Sequence, residues 1–569
     1  MTRLNSVSDL EKLRKDILSK KDPKKPCLAL CVGTGCIPLG AKKVLAAFQE
    51  EIKKQGVEDK IELKETGCPG FCEKGPIVSI YPEGICYCGV KVEDVADVIS
   101  QTIAGKTIDS LLYTDPTTGE KVVHEKDIPF YKHQMRLLLG NNSKLDPRSI
   151  NDSIALGAYG ALCKVLSQMS QDQVISEVEK SQIRGRGGGG FPTGLKWKIA
   201  KNSPGKKKYV IVNCDEGDPG AYMDRSLMEG NPHSVLEGLI IGAYAMGATE
   251  GVIYVREEYP LAVENTEIAI SQAEGYGLLG KNILGSGFDF KVTVSRGGGA
   301  FVCGEETALI ASLEGKPGEP RQRPPFPATS GLWGMPTNIN NVETWANIPI
   351  IINKGGEWFS SIGTERSKGT KIFSLVGKVN NTGLVEVPMG ISLRDIIYKI
   401  GGGISSGKKF KAVQTGGPSG GCIPEEFLDT PVDYDELAKL GSIMGSGGMI
   451  VMDETTCMVD LARYFLGFLA DESCGKCLSC REGIRQMQAI LTDIMEGRGQ
   501  KGDIELLERL AVTIKKASLC ALGQTAPNSV LTTLRYFRNE YEEHIEHNKC
   551  SARGKRKAQA SVLTQVNVR

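Results

Sequence analysis

The chain has 569 residues, with 69 lysines and arginines against 68 aspartates and glutamates. This length allows several domains with buried cores, and the even charge argues against nucleic acid as a partner. The N-terminal residues contain Asp9, Glu11, Lys12 and Lys15 and lack the apolar core of a signal peptide, so we expect a cytoplasmic protein. The 17 cysteines then indicate metal ligands rather than disulfides, because that compartment keeps thiols reduced.

The first predicted elements are an N-terminal helix within residues 1–25 and a small α/β domain over 26–110, followed by a turn-rich segment, 111–149, interpreted as a linker. The α/β domain contains two cysteine pairs on two loops, which supply the four thiolates that a [2Fe–2S] cluster needs. Zinc is the alternative ligand. The four cysteines are Cys31, Cys36, Cys68 and Cys72. Cys86 and Cys88 lie in an alternating, strand-like run and are interpreted as packing residues.

Strand and helix patterns alternate over residues 150–365, which predicts a layered α/β domain. Its most apolar stretch, 236–255, carries two glutamates and four glycines, which favours a buried helix and strand over a membrane span. Short strands rich in Gly, Val and Ile predict a β-grasp-like domain over 366–455. Helical spacing continues over 456–548, and a basic tail follows at 549–569.

Three loops of the large domain have the composition of a cofactor site. Residues 184–197 contain G-x-G-x-x-G without a preceding strand, so a standard dinucleotide fold is not predicted, but free backbone N–H groups, Lys196 and Phe191 suit a phosphate and a stacked ring. Polar residues 213–220 follow a strand, where α/β sheets bind ligands. A second glycine loop spans 296–307. Each loop alone could be a structural turn, whereas the three together indicate a cofactor.

The C-terminal region contains a C-x2-C-x2-C motif and a fourth, distant cysteine. Three thiolates in a tight turn and one from another helix suit a [4Fe–4S] cluster better than a structural zinc site. The four ligands are Cys474, Cys477, Cys480 and Cys520. A weaker grouping consists of Cys457, His544, His547 and Cys550. It is interpreted either as a zinc site or as ordinary surface histidines near free thiols, with about equal weight.

These motifs resemble the NADH-binding flavoprotein subunit of respiratory complex I and its soluble relatives in NAD-linked hydrogenases and formate dehydrogenases. The matching motifs, all within about 130–545, are R-G-R-G-G-x-G-F-P-T-G-L-K-W, C-G-E-E-T-A-L, P-P-F-P-A-x-S-G-L-W-G, N-I-N-N-V-E-T and E-S-C-G-K-C-x-x-C-R-E-G. The fused N-terminal domain resembles the layout of the flavin subunit of electron-bifurcating [FeFe]-hydrogenases. The resemblance implies an α/β multidomain chain with thioredoxin-like [2Fe–2S], Rossmann-like FMN/NADH, β-grasp-like (SLBB-type) and helical [4Fe–4S] domains.

The resemblance also implies which residues bind FMN. They are Gly185, Arg186, Gly187, Lys196, Asn213, Asp215, Glu216, Gly304, Glu305, Glu306, Asn340, Asn341 and Thr344. Glu305 and Glu306 would tune the flavin, and no side chain would act as acid or base. The implied nicotinamide-nucleotide residues are Phe191, Asp218, Arg323 and Phe326. The chain departs from the complex I pattern at four positions, where Ile199 replaces Phe, Asp218 replaces Glu, Phe301 replaces Tyr and Arg323 replaces Lys.

The implied function is hydride exchange between NAD(H) and FMN, followed by single-electron transfer through the clusters to a partner. The expected partners are an [FeFe]-hydrogenase-type subunit and a small thioredoxin-like [2Fe–2S] subunit. Because the segment 551–569 contains no cysteine, we expect any ferredoxin contact to be made through another subunit. Alternatives are the same module in a formate dehydrogenase or other NAD-linked reductase, a non-catalytic electron-relay scaffold and a zinc-ribbon interaction protein. NADH is favoured over NADPH because the expected ribose loop is acidic.

Overall fold

The computed structural model describes residues 3–116, 118–552 and 554–555, and it confirms the predicted α/β multidomain class. Most of the predicted basic tail lies outside these residues. Nowhere in the described ranges does a helix combine the length and the apolar character needed to cross a membrane.

The N-terminal domain is a four-stranded mixed sheet with strand order β2-β1-β3-β4. It follows helix α1, which Ser6 caps by accepting a hydrogen bond from the Asp9 N–H. Strand β1 pairs in parallel with β2 and antiparallel with β3, so both cysteine loops leave the same end of the sheet. The elements are α1 (Val7–Ser19), β1 (Cys27–Cys31), α2 (Ala41–Gln55), β2 (Glu62–Thr66), β3 (Val78–Tyr81), β4 (Ile85–Tyr87) and α3 (Val95–Ile103).

The segment 111–149, interpreted from its sequence as a linker, is packed against its neighbours. Phe130 is fully buried, and its ring stacks on that of Phe71 with 4.2 Å between centroids. Leu139 is also fully buried. This segment therefore holds the N-terminal domain against the rest of the chain. Its elements are β5 (Tyr113–Thr114), β6 (Lys121–Val122) and α4 (Pro129–Lys132).

The central domain contains a parallel sheet with strand order β10-β7-β8-β9 between helices. The sheet grows from β7 to β8 and β9 on one side, while β10 is added on the other. The space at the carboxyl ends of β7 and β10 is therefore a topological switch point, where open α/β sheets bind ligands. The elements are α5 (Ile150–Ala155), α6 (Gly160–Gln168), α7 (Gln171–Ser181), α8 (Thr193–Asn202), β7 (Tyr209–Cys214), α9 (Met223–Gly230), α10 (Pro232–Met246), β8 (Glu250–Arg256), α11 (Pro260–Tyr276), β9 (Lys291–Gly297), α12 (Glu306–Leu313), β10 (Thr337–Asn341), α13 (Val342–Lys354) and α14 (Gly356–Ser360).

The β-rich domain has a five-stranded sheet with strand order β12-β11-β15-β13-β14. Its apolar core also includes Phe71 and Phe130 from the N-terminal part of the chain. The two regions therefore share a buried contact. The elements are β11 (Thr370–Gly377), β12 (Gly383–Pro388), β13 (Phe410–Thr415), β14 (Gly421–Pro424), α15 (Tyr434–Lys439) and β15 (Gly448–Asp453).

The C-terminal domain is a helical bundle whose apolar core continues into one face of the central sheet. Helices α16 and α17 are joined by the loop that carries Cys474 and Cys477. The elements are α16 (Met458–Asp471), α17 (Leu478–Met495), α18 (Asp503–Ala517), α19 (Ala521–Thr525), α20 (Asn528–His547), β16 (Lys549–Cys550) and β17 (Gly554–Lys555).

Candidate functional site

The switch point of the central sheet brings together two of the predicted asparagines. Asn213 and Asn341 are register partners at the carboxyl ends of β7 and β10. Asn213 Nδ2 donates to the Gly304 carbonyl over 2.9 Å, so the second glycine loop reaches the same cleft. Asn341 Oδ1 accepts the Glu343 N–H at 2.9 Å and caps α13. Three segments that are distant in sequence therefore form one cleft.

The first glycine loop lies between helices α7 and α8 and is closed by the Gly185 N–H, which donates to the Phe191 carbonyl at 2.9 Å. A Cβ on Gly187 would lie 3.1 Å from Asn341 Cβ, which explains the absence of a side chain at this close approach. The loop therefore lies directly against the end of β10.

Arg186 contributes to this loop differently from what its motif suggests. Its guanidinium is fully buried and donates to the carbonyls of Arg184, Lys368 and Thr370 at 2.8, 2.6 and 3.1 Å. Its main-chain N–H donates to Thr344 Oγ1 at 2.9 Å. The side chain therefore fastens the glycine loop to the β-rich domain.

Lys196 projects from α8 toward the end of β10. Its Nζ lies 2.9 Å from Glu306 Oε2 and 2.8 Å from the Ile339 carbonyl oxygen. Arg323 Nη1 donates to Glu306 Oε1 at 3.2 Å. Burial alone would raise the pKa of Glu306, but Lys196 and Arg323 hold that pKa below its usual value. The adjacent Asn340 Oδ1 accepts the Trp197 indole N–H at 3.0 Å, which fixes α8 on the sheet.

Glu305, predicted to lie beside the flavin, is the N-cap of α12. Its Oε2 accepts the N–H groups of Thr307 and Ala308 at 2.9 and 3.0 Å. Its Oε1 lies 3.8 Å from Arg323 Nη1. One carboxylate oxygen is therefore engaged in holding the helix end, and the other faces the arginine.

Two acidic residues follow β7 in different environments. Burial raises the pKa of Asp215 to about 7, although Arg256 Nη1 lies 3.2 Å from its Oδ1. Asp215 Oδ2 is buried and has no hydrogen-bond partner among the described residues. Glu216 accepts the N–H groups of Asp224 and Arg225, each at 3.0 Å. Sequence reasoning missed Arg256, although its position at the end of β8, beside β7, follows the same carboxyl-edge rule that identified Asn213.

The residues predicted to bind the nicotinamide nucleotide include two exposed phenylalanines and an aspartate whose carboxyl group is buried. The residues Phe191 and Phe326 are 49% and 55% exposed, which is unusual for large apolar residues in a folded domain. Arg323 lies over the Phe326 ring at 5.9 Å from its centroid. Ser446 Oγ, from the β-rich domain, donates to Asp218 Oδ2 at 2.5 Å, and burial raises the pKa of Asp218 to about 6. No sequence motif identified Ser446, because only the packing of the two domains places it there.

The four thiols predicted for a [2Fe–2S] cluster converge at one end of the N-terminal sheet. The sulfurs of Cys68 and Cys72 are 3.2 Å apart. The neighbouring thiols of Cys36 and Cys68 raise the pKa of the Cys31 thiol well above its usual value. The Gly70 N–H donates to Cys68 Sγ at 3.3 Å. A donor set of four adjoining thiols, supported by a main-chain N–H, fits a [2Fe–2S] cluster.

The second thiol set lines one pocket between α17, α19 and the preceding loops. The thiols are Cys474, Cys477, Cys480 and Cys520. Ser473 Oγ lies 3.3 Å from Cys480 Sγ, and the Leu519 N–H donates to Cys477 Sγ at 3.4 Å. Val302 from the second glycine loop lines the same pocket, so this set adjoins the cleft. The spacing and the pocket fit a [4Fe–4S] cluster.

Three of the four predicted zinc ligands lie together. The ligand atoms of Cys457, His544 and Cys550 are within 4.8 Å of one another, and all three residues are buried. Cys457 Sγ is 3.3 Å from His544 Nε2. His547 is exposed and is not part of this group. The three ligands are compatible with zinc, which is usually held by four.

Three features fit a bound flavin phosphate and ring edge: the Asp215 oxygen that lacks a partner among the described residues, the Lys196 cation and the glycine loop, whose residues 187–190 have no side chains. Together with two thiol sets and two exposed rings, they define the class of protein. It is a flavin and iron–sulfur oxidoreductase that reacts with a nicotinamide nucleotide.

Comparison with known proteins gives the family. Residues 178–350 match the Nuo51 FMN-binding domain and residues 460–544 the NADH-ubiquinone oxidoreductase-F iron–sulfur binding region. Residues 372–423 match the SLBB domain and residues 16–102 the thioredoxin-like [2Fe-2S] ferredoxin. The chain belongs to the family of NADH-oxidising flavin and iron–sulfur proteins that occur in complex I and in NAD(P)-reducing hydrogenases.

Individual relatives agree with this assignment. The chain is 56% identical to the NADP-reducing hydrogenase subunit HndC of Solidesulfovibrio fructosivorans, over 74% of this chain and 86% of HndC. It is 46% identical to the F 2 subunit of the NADH-quinone oxidoreductase of Rhizobium meliloti, over 73% and 98% of the two chains. Among solved structures, a chain of an NAD⁺-reducing [NiFe]-hydrogenase in the H2-reduced state matches with a TM-score of 0.65 and 26% identity, over 95% of this chain and 90% of that one.

Proposed function

We propose that this chain is the NAD(H)-reacting subunit of a cytoplasmic [FeFe]-hydrogenase complex that also contains a small thioredoxin-like [2Fe–2S] subunit. The observation that carries the hydrogenase assignment is the similarity to HndC, which extends over most of both chains. The match to the [NiFe]-hydrogenase chain covers 95% of this chain and supports assembly with a hydrogenase subunit, while the [FeFe] type rests on the layout of the fused N-terminal domain. We also propose that the complex exchanges electrons with ferredoxin and thereby bifurcates them.

In this proposal the chain's residues bind and orient the reactants. FMN, when bound, supplies the conversion of a two-electron hydride transfer into single-electron transfers. The flavin would bind between the glycine loop and the strand ends that carry Asn213 and Asn341, and Lys196 would neutralise its phosphate. Phe191 and Phe326 flank the adenine. The two thiol sets would hold the iron–sulfur clusters, which supply one-electron carriers when bound.

We also propose that the chain binds a zinc ion. Cys457, His544 and Cys550 would supply three ligands and would tie the start of α16 to the end of α20. His547 is omitted from this set because it is exposed.

Anaerobic purification of the native complex tests the function. We expect mass spectrometry to identify a hydrogenase subunit, and hydrogen evolution from NADH to require reduced ferredoxin as a second donor. Hydrogen evolution with NADH alone would remove bifurcation from the proposal. A molybdenum formate-oxidising partner would reassign the chain to a formate dehydrogenase. Flavin-loaded protein that fails to pass electrons from NADH to viologen would contradict the enzyme assignment itself.

Replacing Lys196 by methionine is expected to weaken FMN binding. The change removes the cation at the proposed phosphate position and leaves Glu306 with Arg323 as its remaining partner. Loss of one hydrogen bond to a charged group costs about 2 kcal/mol, or roughly 30-fold in affinity. The measurement is FMN release followed by fluorescence. Lys198→Met is the matched control, because Lys198 is exposed and pairs with Glu179 at 3.3 Å. Equal FMN retention in the two variants would remove Lys196 from the flavin site.

The KM for NADH is expected to rise as the pH falls through about 6, where the carboxyl of Asp218 becomes protonated. Above that pH the carboxylate can accept hydrogen bonds from ribose hydroxyls, and below it the neutral acid accepts them less well. One ionisable group allows a rise of at most about tenfold per pH unit. Asp218→Asn should remove this dependence. A KM in the unaltered protein that stays constant on both sides of pH 6 would contradict the assignment. A lower KM for NADPH than for NADH would contradict the predicted preference for NADH.

A further inference from the structure

Helix α9 links the proposed flavin cleft to the first thiol set. At its start, the N–H groups of Asp224 and Arg225 donate to the Glu216 carboxylate. At its end, the Glu229 carboxylate accepts the Thr34 N–H at 2.9 Å and also the Thr34 hydroxyl. Thr34 lies between Cys31 and Cys36 in the sequence. One eight-residue helix therefore contacts both sites.

The cysteine loop is held tightly on this helix. A Cβ on Gly67 would lie 2.3 Å from Gly230 Cα, so the two backbones are in direct contact. Asn142 Nδ2 lies 3.2 Å from the Cys68 carbonyl oxygen and 3.4 Å from that of Ser226, and it bridges the loop to α9. The side chains on this side of α9 therefore have fixed positions relative to the cysteine sulfurs.

Two side chains carried by the start of this helix lie near the sulfurs. Burial, and after it the nearby thiols of Cys72 and Cys68, raises the pKa of the Tyr222 hydroxyl, so this hydroxyl lies beside the cysteine loop. The Arg225 guanidinium lies 5.5 Å from the Tyr222 ring centroid, and its charge acts on Cys68 and Cys72. Arg225 Nε is buried and lacks a hydrogen-bond partner within the described part of the chain, with Glu229 Oε1 at 3.9 Å. A buried N–H donor without a partner beside the thiols suits a negatively charged cluster bound by those thiols.

We propose that Tyr222 and Arg225 are positioning residues that raise the reduction potential of the [2Fe–2S] cluster bound by Cys31, Cys36, Cys68 and Cys72. This inference rests on the proposed function, which assigns the cluster to these cysteines. Reduction adds negative charge to a cluster, and hydrogen-bond donors and a positive charge near its sulfurs stabilise that charge. Because α9 also contacts Glu216, the same helix fixes these donors relative to the flavin cleft.

Redox titration of the holoprotein, monitored by EPR, tests the inference. In Tyr222→Phe the midpoint potential of the [2Fe–2S] signal should shift to a more negative value, because the hydroxyl donor is lost. Arg225→Gln should shift it in the same direction. Tyr244→Phe is the matched control, since the Tyr244 hydroxyl donates to the Met169 carbonyl in the central domain. The potential of the [4Fe–4S] signal provides an internal reference.

The outcomes separate this inference from the function on which it rests. A [2Fe–2S] signal that is present in all variants with an unchanged potential would overturn the role of Tyr222 and Arg225. Absence of that signal from the unaltered protein would instead overturn the ligand assignment. A shift in Tyr244→Phe equal to that in Tyr222→Phe would also overturn the inference, because the effect would not depend on proximity to the sulfurs.

Discussion

Cys520→Ser is expected to lose the [4Fe–4S] EPR signal and most of the electron transfer from NADH to the partner subunit. Cys520 lines the pocket shared by the other three thiols and is the member contributed from outside the C-x2-C-x2-C loop. Removing a residue that only hydrogen-bonds to a metal ligand lowers metal affinity or activity by up to about 100-fold. Removing a ligand itself should lower cluster binding by more than that factor. The measurements are EPR of the reduced protein and NADH-dependent turnover of the native complex.

Cys163→Ser is the control for this prediction. Cys163 is also buried, but it lies on α6 in the central domain. This variant should keep the EPR signals of both clusters. The [2Fe–2S] signal should persist in Cys520→Ser as well, because the two thiol sets lie in different domains. A [4Fe–4S] signal of normal intensity in Cys520→Ser would contradict the proposed ligand set.

Lys371→Met is expected to lower the free energy of unfolding by about 3–5 kcal/mol, the usual cost of removing one partner of a buried ion pair. Lys371 and Glu343 are 0% and 1% exposed, and their charged groups are 2.5 Å apart. Glu343 Oε1 also accepts the Ile372 N–H at 2.9 Å. This pair joins the central domain to the β-rich domain, and its disruption leaves an unpaired carboxylate in the interface. Guanidinium denaturation of the holoprotein measures the loss.

Lys399→Met provides the matched exposed pair, since Lys399 is 59% exposed and lies 2.9 Å from Asp395. Its loss should cost no more than about 1 kcal/mol. The double variant Lys371→Met with Glu343→Gln should recover part of the loss, because it no longer buries an unpaired charge. Equal stability of Lys371→Met and Lys399→Met would show that the buried pair does not hold the domains together.

The sequence predicted most of the fold, because the relevant signals are local. Apolar periodicity located β7 and β8, and the prediction that no strand precedes the glycine loop agrees with helix α7, which leads into that loop. The confirmed fold class followed from these patterns and from the family motifs. Packing of the segment 111–149 was not predicted, because its turn-rich composition does not reveal that Phe130 stacks on Phe71.

The site residues remain predictions, but their placement separates two kinds of information. Cysteine spacing by itself predicted the two cluster sets, because each cluster needs four thiolates and most of these cysteines occur in short, closely spaced motifs. Only the tertiary structure decided what the other side chains of the predicted sites contact. Arg186 anchors a domain interface, Glu305 caps a helix, His547 is exposed and Tyr222 lies beside the cysteine loop. These roles depend on contacts between residues far apart in the chain, and such contacts are set by the packing of whole domains.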